Sequence, residues 1–351
     1  MAFPPVPHYS KSQVDRAGQV LVDPKSSADE RRVARGIVGE WRACFGYPIN
    51  TFQATVRDKL RKGYGRTLVA QRLKRLPTII DKLKRYPGMN LVRMQDIGGL
   101  RAVVGNIRSV RKLERVYRDE SRFKHELIKV YDYIDRPKED GYRGVHLIYK
   151  YNNNQTSVSS SYNGLILELQ LRTRLQHIWA TAVETMGTYL GQALKSRQGD
   201  KKWIDFFAVT SSAFAHDEGT SPVPGYKKLS RQETIEAVKK ASADLNVIEV
   251  IGAISVAGKV IHTNQKGKGW YYHLIILNSR DHTVSVNSYP KNQLAQASAD
   301  YASAEERAAA GEPIEPVLVA AGKLDSLKHA YPNYFLDIRD FTTELQRIIK
   351  A

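Results

Sequence analysis

The spacing of apolar residues along the chain changes near residue 98. Before that point they recur at helical intervals through residues 10–45 and 52–86, with a predicted break at 63–65. Behind the Gly98-Gly99 turn, the apolar run at 100–104 indicates a buried strand. Further strands are predicted at 126–134, 145–151 and 165–171, and helices at 109–121 and 173–190. This mixture predicts an α+β domain over residues 1–215, with a mixed sheet flanked by helices.

A second, smaller domain is predicted to follow. Residues 216–231 are rich in Gly and Pro and are predicted to be a linker. A helix at 231–243 is expected next, then strands near 246–263, 270–278 and 282–288. After residue 291 the pattern is helical, with a break around 311–316. Residues 232–351 are therefore predicted to form a β-rich domain with helices.

The charge of the chain is concentrated in its first part. The formal net charge is +18, and residues 1–200 hold 36 Lys and Arg against 19 Asp and Glu. A basic surface attracts polyanions such as nucleotides, nucleic acid or anionic membrane, although a merely solubilising surface has the same composition.

The sequence also indicates the compartment. No apolar run of about 18 residues predicts a membrane span, and the proline-rich start, Met1–Ser10, does not resemble a signal peptide. Because Cys44 is the single cysteine, an intrachain disulfide and a Cys-based zinc site are excluded. We therefore expect a cytoplasmic protein with no membrane partner and no zinc.

The first candidate segment for chemistry is basic. Arg72, Lys74 and Lys82 supply three cations, and Thr78 adds a hydroxyl group. Arginine binds phosphate with two parallel hydrogen bonds, and lysine adds a point charge. The cluster could therefore bind a triphosphate, although a solvated basic helix end would have the same composition.

Two carboxylates occupy positions typical of active sites. Asp96 precedes the predicted strand at 100–104, and Glu168 shares one face of the strand at 165–171 with Gln170. If the two carboxylates meet, they could hold Mg²⁺, which would bridge triphosphate oxygens. A turn-forming Asp and a solvent-facing Glu are the alternative.

The third segment along the chain, residues 131–146, lies between these two carboxylates and combines tyrosines, cations and glycines in a loop that leads into a strand. Tyrosine can stack on a base, and Arg or Lys can hold phosphate. An ordinary hairpin loop would also fit this composition.

Taken in their order along the chain, the four segments resemble the synthetase domain of the RelA/SpoT family. The family's pattern is R-x-K-x-x-(x)-S/T, D-x-x-G-x-R, D-Y-I-x-x-P-K-x-x-G-Y-x-x-x-H and E-x-Q-x-R-T, and the resemblance covers roughly residues 10–215. It implies a nucleotidyltransferase-like fold and transfer of pyrophosphate from ATP to a ribose 3′-hydroxyl. The implied ATP ligands are Arg72, Lys74, Thr78, Lys82 and Arg101. The implied acceptor-binding residues are Arg136, Lys138, Tyr142 and His146, with Tyr142 stacking on the acceptor's base. Asp96 and Glu168 are the implied catalytic residues and Mg²⁺ ligands, with Glu168 also a candidate base.

The chain departs from members of the family that use guanosine nucleotides. Those members have Lys where this chain has Tyr131, and Asn where it has Asp140. Losing an ammonium group and gaining a carboxylate would weaken the binding of GDP or GTP. The alarmone (p)ppGpp is therefore not the expected product.

The second part of the chain extends the resemblance. Residues 331–335 contain a Y-x-x-Y element, and the whole arrangement is similar to the CapRel group of fused toxin–antitoxin proteins. That similarity implies pyrophosphorylation of the 3′-CCA end of tRNA, which stops translation, and a C-terminal antitoxin that resembles a zinc finger without zinc. Tyr331 and Tyr334 would inhibit the enzyme by covering the ATP site, and a phage capsid protein would release it. Alternatively the two tyrosines are core aromatics, because Tyr334, Phe335 and Ile338 have helical spacing.

Two other functions stay open. The chain could be a small alarmone synthetase that makes (p)ppGpp from ATP and GDP or GTP. It could also be an inactive RelA/SpoT-like module that only binds RNA. The basic charge and Asp140 favour the tRNA-modifying function, and the presence of Asp96 and Glu168 argues against an inactive module.

Overall fold

The structure is a computed structural model of the 351-residue chain. It describes residues 6–61, 63–119, 123–190, 194, 199–251, 259–262, 270–281, 283–320, 332–335 and 338–351.

The first part of the chain alternates between helices and strands. Its helices are α1 (Lys11–Val22), α2 (Ala28–Ala43), α3 (Gly46–Leu60), α4 (Leu76–Arg85), α5 (Ile107–Arg118), α6 (Ser157–Ser160), α7 (Arg174–Tyr189) and α8 (Lys201–Asp217). Its strands are β1 (Leu68–Leu73), β2 (Gly98–Val104), β3 (Glu126–Asp132), β4 (Val145–Lys150) and β5 (Ile166–Thr173). Ser27 caps α2 reciprocally with Glu30, which explains why the predicted helix at 10–45 is divided.

These five strands form one mixed sheet in the order β1-β2-β5-β4-β3. Strands β2 and β5 are parallel, and the other neighbours are antiparallel. Leu167, Leu169 and Leu171 of β5 point into the main hydrophobic core, which α1–α5 cover. Because side chains alternate along a strand, Glu168 and Gln170 lie on the opposite face. The predicted α+β fold and the predicted division of β5 into two faces are confirmed.

One strand was not predicted. Residues 68–73 were expected to continue a helix, but they form β1, which pairs with β2 from Leu68 opposite Val103 to Leu73 opposite Gly98. The run Leu-Val-Ala-Gln-Arg-Leu has no strong local preference, so pairing with a neighbouring strand decides its structure. The same reason applies to residues 317–320, which were expected to be helical. They form one strand with residues 314–316, which were expected to be a break.

A second sheet lies in the C-terminal part. It contains β6 (Lys259–His262), β7 (Trp270–Asn278), β8 (Thr283–Pro290) and β9 (Ile314–Ala320) in the order β6-β8-β7-β9. The accompanying helices are α9 (Arg231–Asp244), α10 (Leu294–Ala309) and α11 (Arg339–Lys350), and residues 247–251 are helical where a strand was expected. A β-rich second unit is therefore present. Its resemblance to a zinc finger stays a prediction.

A second hydrophobic core joins elements on both sides of residue 215. It includes Trp179 of α7, Phe207 of α8, Ile275 of β7 and Phe341 of α11. The helix α8 continues to Asp217, inside the predicted linker. The domain boundaries at 215 and 231 stay predictions. Among the described helices, none is long and apolar enough to cross a membrane.

Candidate active site

The polar face of the first sheet carries one continuous row of side chains. Following the pairing from β1 to β3, Ala70 is opposite Arg101, Arg101 is opposite Gln170, Gln170 is opposite His146, and His146 is opposite Tyr131. Residues that are directly opposite in a sheet lie on the same face. This row therefore contains side chains from three of the four sequence segments that carried candidate chemistry.

These side chains form one wall of a cavity of about 380 Å³. Helices α7 and α8 supply an apolar wall that includes Trp179, Val183 and Phe207. The polar lining comes from Gln71, Lys74, Lys82, Gln95, Asp96, Arg101, Tyr131, Tyr133, Lys138, Asp140, Tyr142, His146, Glu168, Gln170 and Arg172. A cavity with one apolar wall and one charged wall suits a nucleotide, which has a flat base and a charged phosphate chain.

Asp96 is held between two lysines. The Nζ atom of Lys74 lies 2.8 Å from one carboxylate oxygen of Asp96, and the Nζ atom of Lys82 lies 2.8 Å from the other. Burial alone would raise the pKa of Asp96, but the two ammonium groups outweigh it and hold this pKa far below its usual range. Asp96 is therefore ionised at neutral pH, as a metal ligand must be.

Glu168 belongs to a closed ring of five hydrogen-bonded side chains. Its Oε1 atom lies 2.7 Å from Nδ1 of His146, whose Nε2 shares a hydrogen bond with the Tyr142 hydroxyl. Arg172 donates from Nη2 to the Tyr142 hydroxyl at 2.8 Å and to Oε1 of Gln170 at 3.1 Å. Gln170 completes the ring by donating from Nε2 to Oε2 of Glu168 at 2.7 Å. Each member therefore restrains the orientation of the next.

The charge state of Glu168 reflects this ring. Burial would raise the pKa of Glu168, but the interaction with His146 lowers it overall, against the opposing negative charge of Asp96. The two carboxylates line the same cavity, and the negative charge of Asp96 opposes the ionisation of Glu168. A divalent cation between them would remove the repulsion.

The donor set fits Mg²⁺. Within the described part of the chain, no group of three or more His, Cys, Asp or Glu side chains could hold a metal ion. A protein commonly binds Mg²⁺ through one or two carboxylates, and water and substrate phosphates complete the coordination. Asp96 and Glu168 match that pattern.

A tight turn brings Lys138 and Tyr142 to the cavity. The Gly141 amide donates to the Lys138 carbonyl at 3.0 Å, and Gly141 has a φ of +95°. A β-carbon at this position would lie 2.8 Å from Trp179 and 3.0 Å from the backbone of Ala208. Only glycine both adopts this conformation easily and allows the turn to pack against α7 and α8.

Lys138 and Asp140 give this turn opposite charges. The Nζ atom of Lys138 lies 4.5 Å from the ring centroid of Tyr133 and 5.2 Å from that of Tyr142. Asp140 also lines the cavity, and its carboxylate accepts the Tyr142 amide at 2.9 Å. Asp140 therefore shapes the turn in addition to placing a carboxylate in the cavity lining.

A buried ion pair anchors the same turn. Arg143, whose side chain is 1% exposed, donates from Nη1 to Glu218 at 2.7 Å. Ser211 accepts from the Nε atom of Arg143 at 3.1 Å and donates to the Gly141 carbonyl at 2.6 Å. Glu218 also accepts from the hydroxyl of Thr173, the residue that caps α7. Glu218 therefore ties the turn to the end of β5.

The structure places the sequence-predicted residues as follows. Lys74, Lys82, Asp96, Arg101, Lys138, Tyr142, His146 and Glu168 line the cavity. Thr78, in the first turn of α4, and the exposed Arg136 are not part of its lining. Arg72 pairs with Gly99 in the sheet, but its side chain lies outside the described structure, as does the whole of Tyr331.

Tyr334 lies beside residues 74–75, which join β1 to α4, and is not part of the cavity lining. It is 2% exposed and belongs to the second hydrophobic core, in a short 3-10 turn that packs against α7 and β7. The guanidinium of Arg75 lies 5.9 Å from its ring centroid. Arg75 directly follows Lys74, so Tyr334 contacts a neighbour of the cavity.

The sequence analysis missed several residues at the site. Gln95, Tyr133 and Arg172 line the cavity, and Glu218 anchors it. Tyr133 and Arg172 belong to the quoted motifs, so motif membership could have found them. The role of Glu218 could not be inferred from the sequence, because its partner Arg143 is 75 residues away.

The C-terminal part contributes two carboxylates next to the segment that joins β1 to α4. Glu305 of α10 forms a buried ion pair with Arg42, and it accepts the backbone amide of Leu76 at 3.1 Å. Glu315 of β9 lies 2.7 Å from Nη1 of Arg75. Both carboxylates therefore hold the segment that joins β1 to α4.

Curated relatives of this chain are pyrophosphokinases. It is 31% identical over 118 residues to GTP pyrophosphokinase YjbM of Bacillus subtilis (strain 168), covering 32% of this chain and 52% of that protein. It is 29% identical over 116 residues to GTP pyrophosphokinase YwaC of the same organism, covering 31% and 52%. The chain thus spans about half the length of the curated relatives it matches.

Two solved structures are similar to part of this chain. Small alarmone synthetase 1 from Bacillus subtilis, bound to its product pppGpp, has 20% identity and a TM-score of 0.44, covering 54% of this chain and 94% of that one. A GTP pyrophosphokinase family protein from Streptococcus pneumoniae has 23% identity and a TM-score of 0.41, covering 51% and 87%.

A family match covers the segment that holds the cavity. Residues 71–192 match the family described as "Region found in RelA / SpoT proteins". That segment contains all four sequence motifs and nearly all of the polar cavity lining, from Gln71 to Arg172. Residues 71–192 of this chain are therefore similar to the region found in RelA and SpoT proteins.

Proposed function

We propose that this chain is a Mg²⁺-dependent pyrophosphokinase that transfers pyrophosphate from ATP to a ribose 3′-hydroxyl of an acceptor. The observation that carries the proposal is the meeting of Asp96 and Glu168, both ionised, in one cavity with cations on both sides. Such an arrangement can position two polyanionic substrates and offset the charge that builds up during phosphoryl transfer.

The donor side would bind ATP through Lys74, Lys82 and Arg101. Mg²⁺ held by Asp96 and Glu168 would offset charge on the triphosphate. Because both lysines bind Asp96 in the free chain, arrival of a cation at Asp96 would release an ammonium group toward the phosphates. The lysines would thus change partner when ATP and Mg²⁺ bind together.

On the acceptor side, Glu168 would accept the proton of the attacking hydroxyl. The acceptor oxygen would bond to the β-phosphorus of ATP as the bond from that phosphorus to the α–β bridging oxygen breaks, which releases AMP. His146, 2.7 Å from Glu168, and Gln170 hold this carboxylate in one orientation. Tyr142 and Lys138 would bind the acceptor nucleotide beside it.

We assign the 3′-CCA end of tRNA as the acceptor. The first 200 residues carry 36 basic against 19 acidic residues, which favours a polyanion over a single nucleotide. Tyr131 and Asp140, which depart from the pattern of guanosine-using members, both line the cavity. The second candidate acceptor is GDP or GTP, which the names of the curated relatives favour.

The C-terminal part would inhibit the enzyme until a trigger releases it. Glu305 and Glu315 hold Arg42 and Arg75 beside the donor segment, and Tyr334 packs against Arg75. In this proposal a phage major capsid protein binds the second unit and frees the site, which stops translation as an antiphage defence. The assignment of that trigger rests on the resemblance to CapRel proteins.

The test offers deacylated tRNA, GDP and GTP in parallel, with Mg²⁺ and ATP labelled on its terminal phosphate. The enzyme is supplied as the full chain and as residues 1–230, which keep Glu218. Label in tRNA that disappears when the CCA end is removed would support the proposal. Label in a guanosine tetra- or pentaphosphate would make the chain an alarmone synthetase.

A matched variant separates catalysis from RNA binding alone. Asp96→Asn keeps the shape of the side chain but removes the charge that a metal ion needs. We expect it to abolish label transfer and leave tRNA retention on a filter within about twofold. If growth arrest caused by residues 1–230 survived Asp96→Asn, the chain would be an RNA-binding module and the enzyme proposal would be wrong.

A further inference from the structure

The edge strand β3 and the residue after it present a stripe of one lysine and two tyrosines on one face. Strand β3 is last in the sheet order, and from Lys129 onward it pairs regularly with β4. Residues two apart share a face, so Lys129, Tyr131 and Tyr133 point to one side. On the other side Val130 packs against the main hydrophobic core and Ile134 lies in it. The stripe therefore does not belong to the main core.

The two tyrosine rings of the stripe are nearly parallel. Tyr131 and Tyr133 have ring centroids 5.8 Å apart and an interplanar angle of 7°. Lysines flank both rings, because Nζ of Lys129 lies 4.7 Å from the Tyr131 centroid and Nζ of Lys138 lies 4.5 Å from the Tyr133 centroid. Aromatic rings interleaved with cations are the usual composition of surfaces that bind single-stranded nucleic acid.

The stripe leads from the cavity to the solvent. Tyr131 and Tyr133 are half-buried and line the cavity, whereas Lys129 is exposed and is not part of its lining. Alternate residues of a strand are roughly 7 Å apart, so the stripe continues about 7 Å beyond the cavity wall at Tyr131. A single nucleotide seated in the cavity would not extend to Lys129, but a chain of two or three nucleotides would.

We infer that Lys129, Tyr131 and Tyr133 form a platform for the last unpaired nucleotides of a single-stranded RNA 3′ end. Bases would stack on the tyrosine rings, and Lys129 would contact a phosphate upstream of the reacting nucleotide. This inference rests on the proposed function, because it names the surface that would select an RNA end over a mononucleotide. The hydroxyl of Tyr131, which donates to Gln95 at 3.2 Å beside Asp96, fixes the platform next to the reaction site.

The test measures how the full chain binds two fluorescent probes, a five-nucleotide RNA ending in CCA and a labelled GTP. Tyr131→Ala removes one ring, and Tyr131→Phe keeps it. Lys129→Gln removes a charge from the stripe. Lys150→Gln is the matched control, because Lys150 is an exposed lysine at the far end of the neighbouring strand, where it pairs with Glu126.

We expect Tyr131→Ala to weaken RNA binding about tenfold, which is about 1.4 kcal/mol and within the range for loss of one stacked base. Tyr131→Phe should bind RNA within about twofold of the parent. Lys129→Gln should lower the slope of log affinity against log salt by about one, without changing GTP binding, and Lys150→Gln should change neither.

The outcomes also separate the platform from the proposed function. If label transfer to tRNA is found but Tyr131→Ala binds RNA as the parent does, the platform is wrong and the enzyme proposal stands. A parent that binds GTP but not the RNA overturns the platform and the tRNA acceptor together. A parent that binds neither probe overturns the platform, while the transfer assay still decides the enzyme proposal.

Discussion

Glu218→Gln should destabilise the chain far more than its position in a predicted linker suggests. The Glu218 side chain is 7% exposed, and its two oxygens accept from Arg143, Thr173 and Gln176. An amide nitrogen in place of Oε2 would face the donors of Arg143 and Gln176, and either orientation of the amide leaves the guanidinium of Arg143 buried without a counter-charge. Breaking a buried pair in this way costs about 3–5 kcal/mol.

An exposed carboxylate on the neighbouring helix provides the control. Asp205 of α8 pairs with Lys201, but the two side chains are 49% and 84% exposed. Exposed pairs contribute about 0–1 kcal/mol, so Asp205→Asn should be nearly neutral. Urea unfolding followed by tryptophan fluorescence is a suitable assay, because Trp179 and Trp203 lie in the hydrophobic core around this helix.

A double variant tests the pairing itself. In Arg143→Met with Glu218→Gln no buried charge remains, so the loss of stability should fall below the sum of the single losses by about 2 kcal/mol. The reasoning is refuted if Glu218→Gln loses no more stability than Asp205→Asn, or if the losses in the double variant simply add.

Three further predictions concern the donor side and the acceptor turn. Glu305→Gln should raise label transfer by the full chain at least severalfold. The control Glu312→Gln, which breaks an exposed ion pair just after α10, should leave the transfer rate unchanged. Equal rates for the two variants would contradict inhibition through Glu305. Asp96→Asn should cost roughly 3 kcal/mol of unfolding free energy at pH 7, because Lys74 loses its counter-charge. The pKa of Asp96 is lower in the folded chain than its ordinary value of 3.8, so the stabilisation is present above pH 3.8 and is lost as the pH falls below it. Denaturant unfolding at pH 6 and at pH 3 should therefore show a smaller difference in unfolding free energy between variant and parent at the lower pH. The variant Gly141→Ala should be less stable than the variant Gly164→Ala. Both glycines have a positive φ, but of the two only Gly141 lacks room for a methyl group. Equal losses of unfolding free energy would refute the packing argument.

The sequence predicts the sheet well where the signal is local. Strands β2, β4 and β5 were found because each contains a run of apolar residues that is buried on one face. Strand β1 was missed because its residues 68–73 are equally compatible with a helix, and only pairing with β2 makes them a strand. Tertiary contacts override weak local preference in such segments.

The residues of the site were easier to predict from the sequence than their position in one cavity. Asp96 and Glu168 were identified from motifs, but they are 72 positions apart in the sequence. Their proximity depends on the parallel pairing of β2 with β5, in which Gly99 is opposite Glu168. Pairing between distant strands cannot be derived from periodicity, because periodicity reports only which face of an element is buried.

The buried ion pairs suggest where an enzymatic unit would end. Glu218 holds the acceptor turn through Arg143, so a unit that ends at residue 215 leaves a buried cation without its partner. Glu305 and Glu315 instead hold Arg42 and Arg75 at the segment that joins β1 to α4, and Arg75 is about a quarter exposed in its pair with Glu315. Separation of the second sheet would therefore free Arg75 beside Lys74, where it could contact phosphate, and would leave the Arg143–Glu218 pair intact. In the proposed mechanism, a trigger that acts on the second sheet would therefore expose the proposed donor side and leave the proposed acceptor side in place, provided that the division falls after Thr220, which accepts from Arg143.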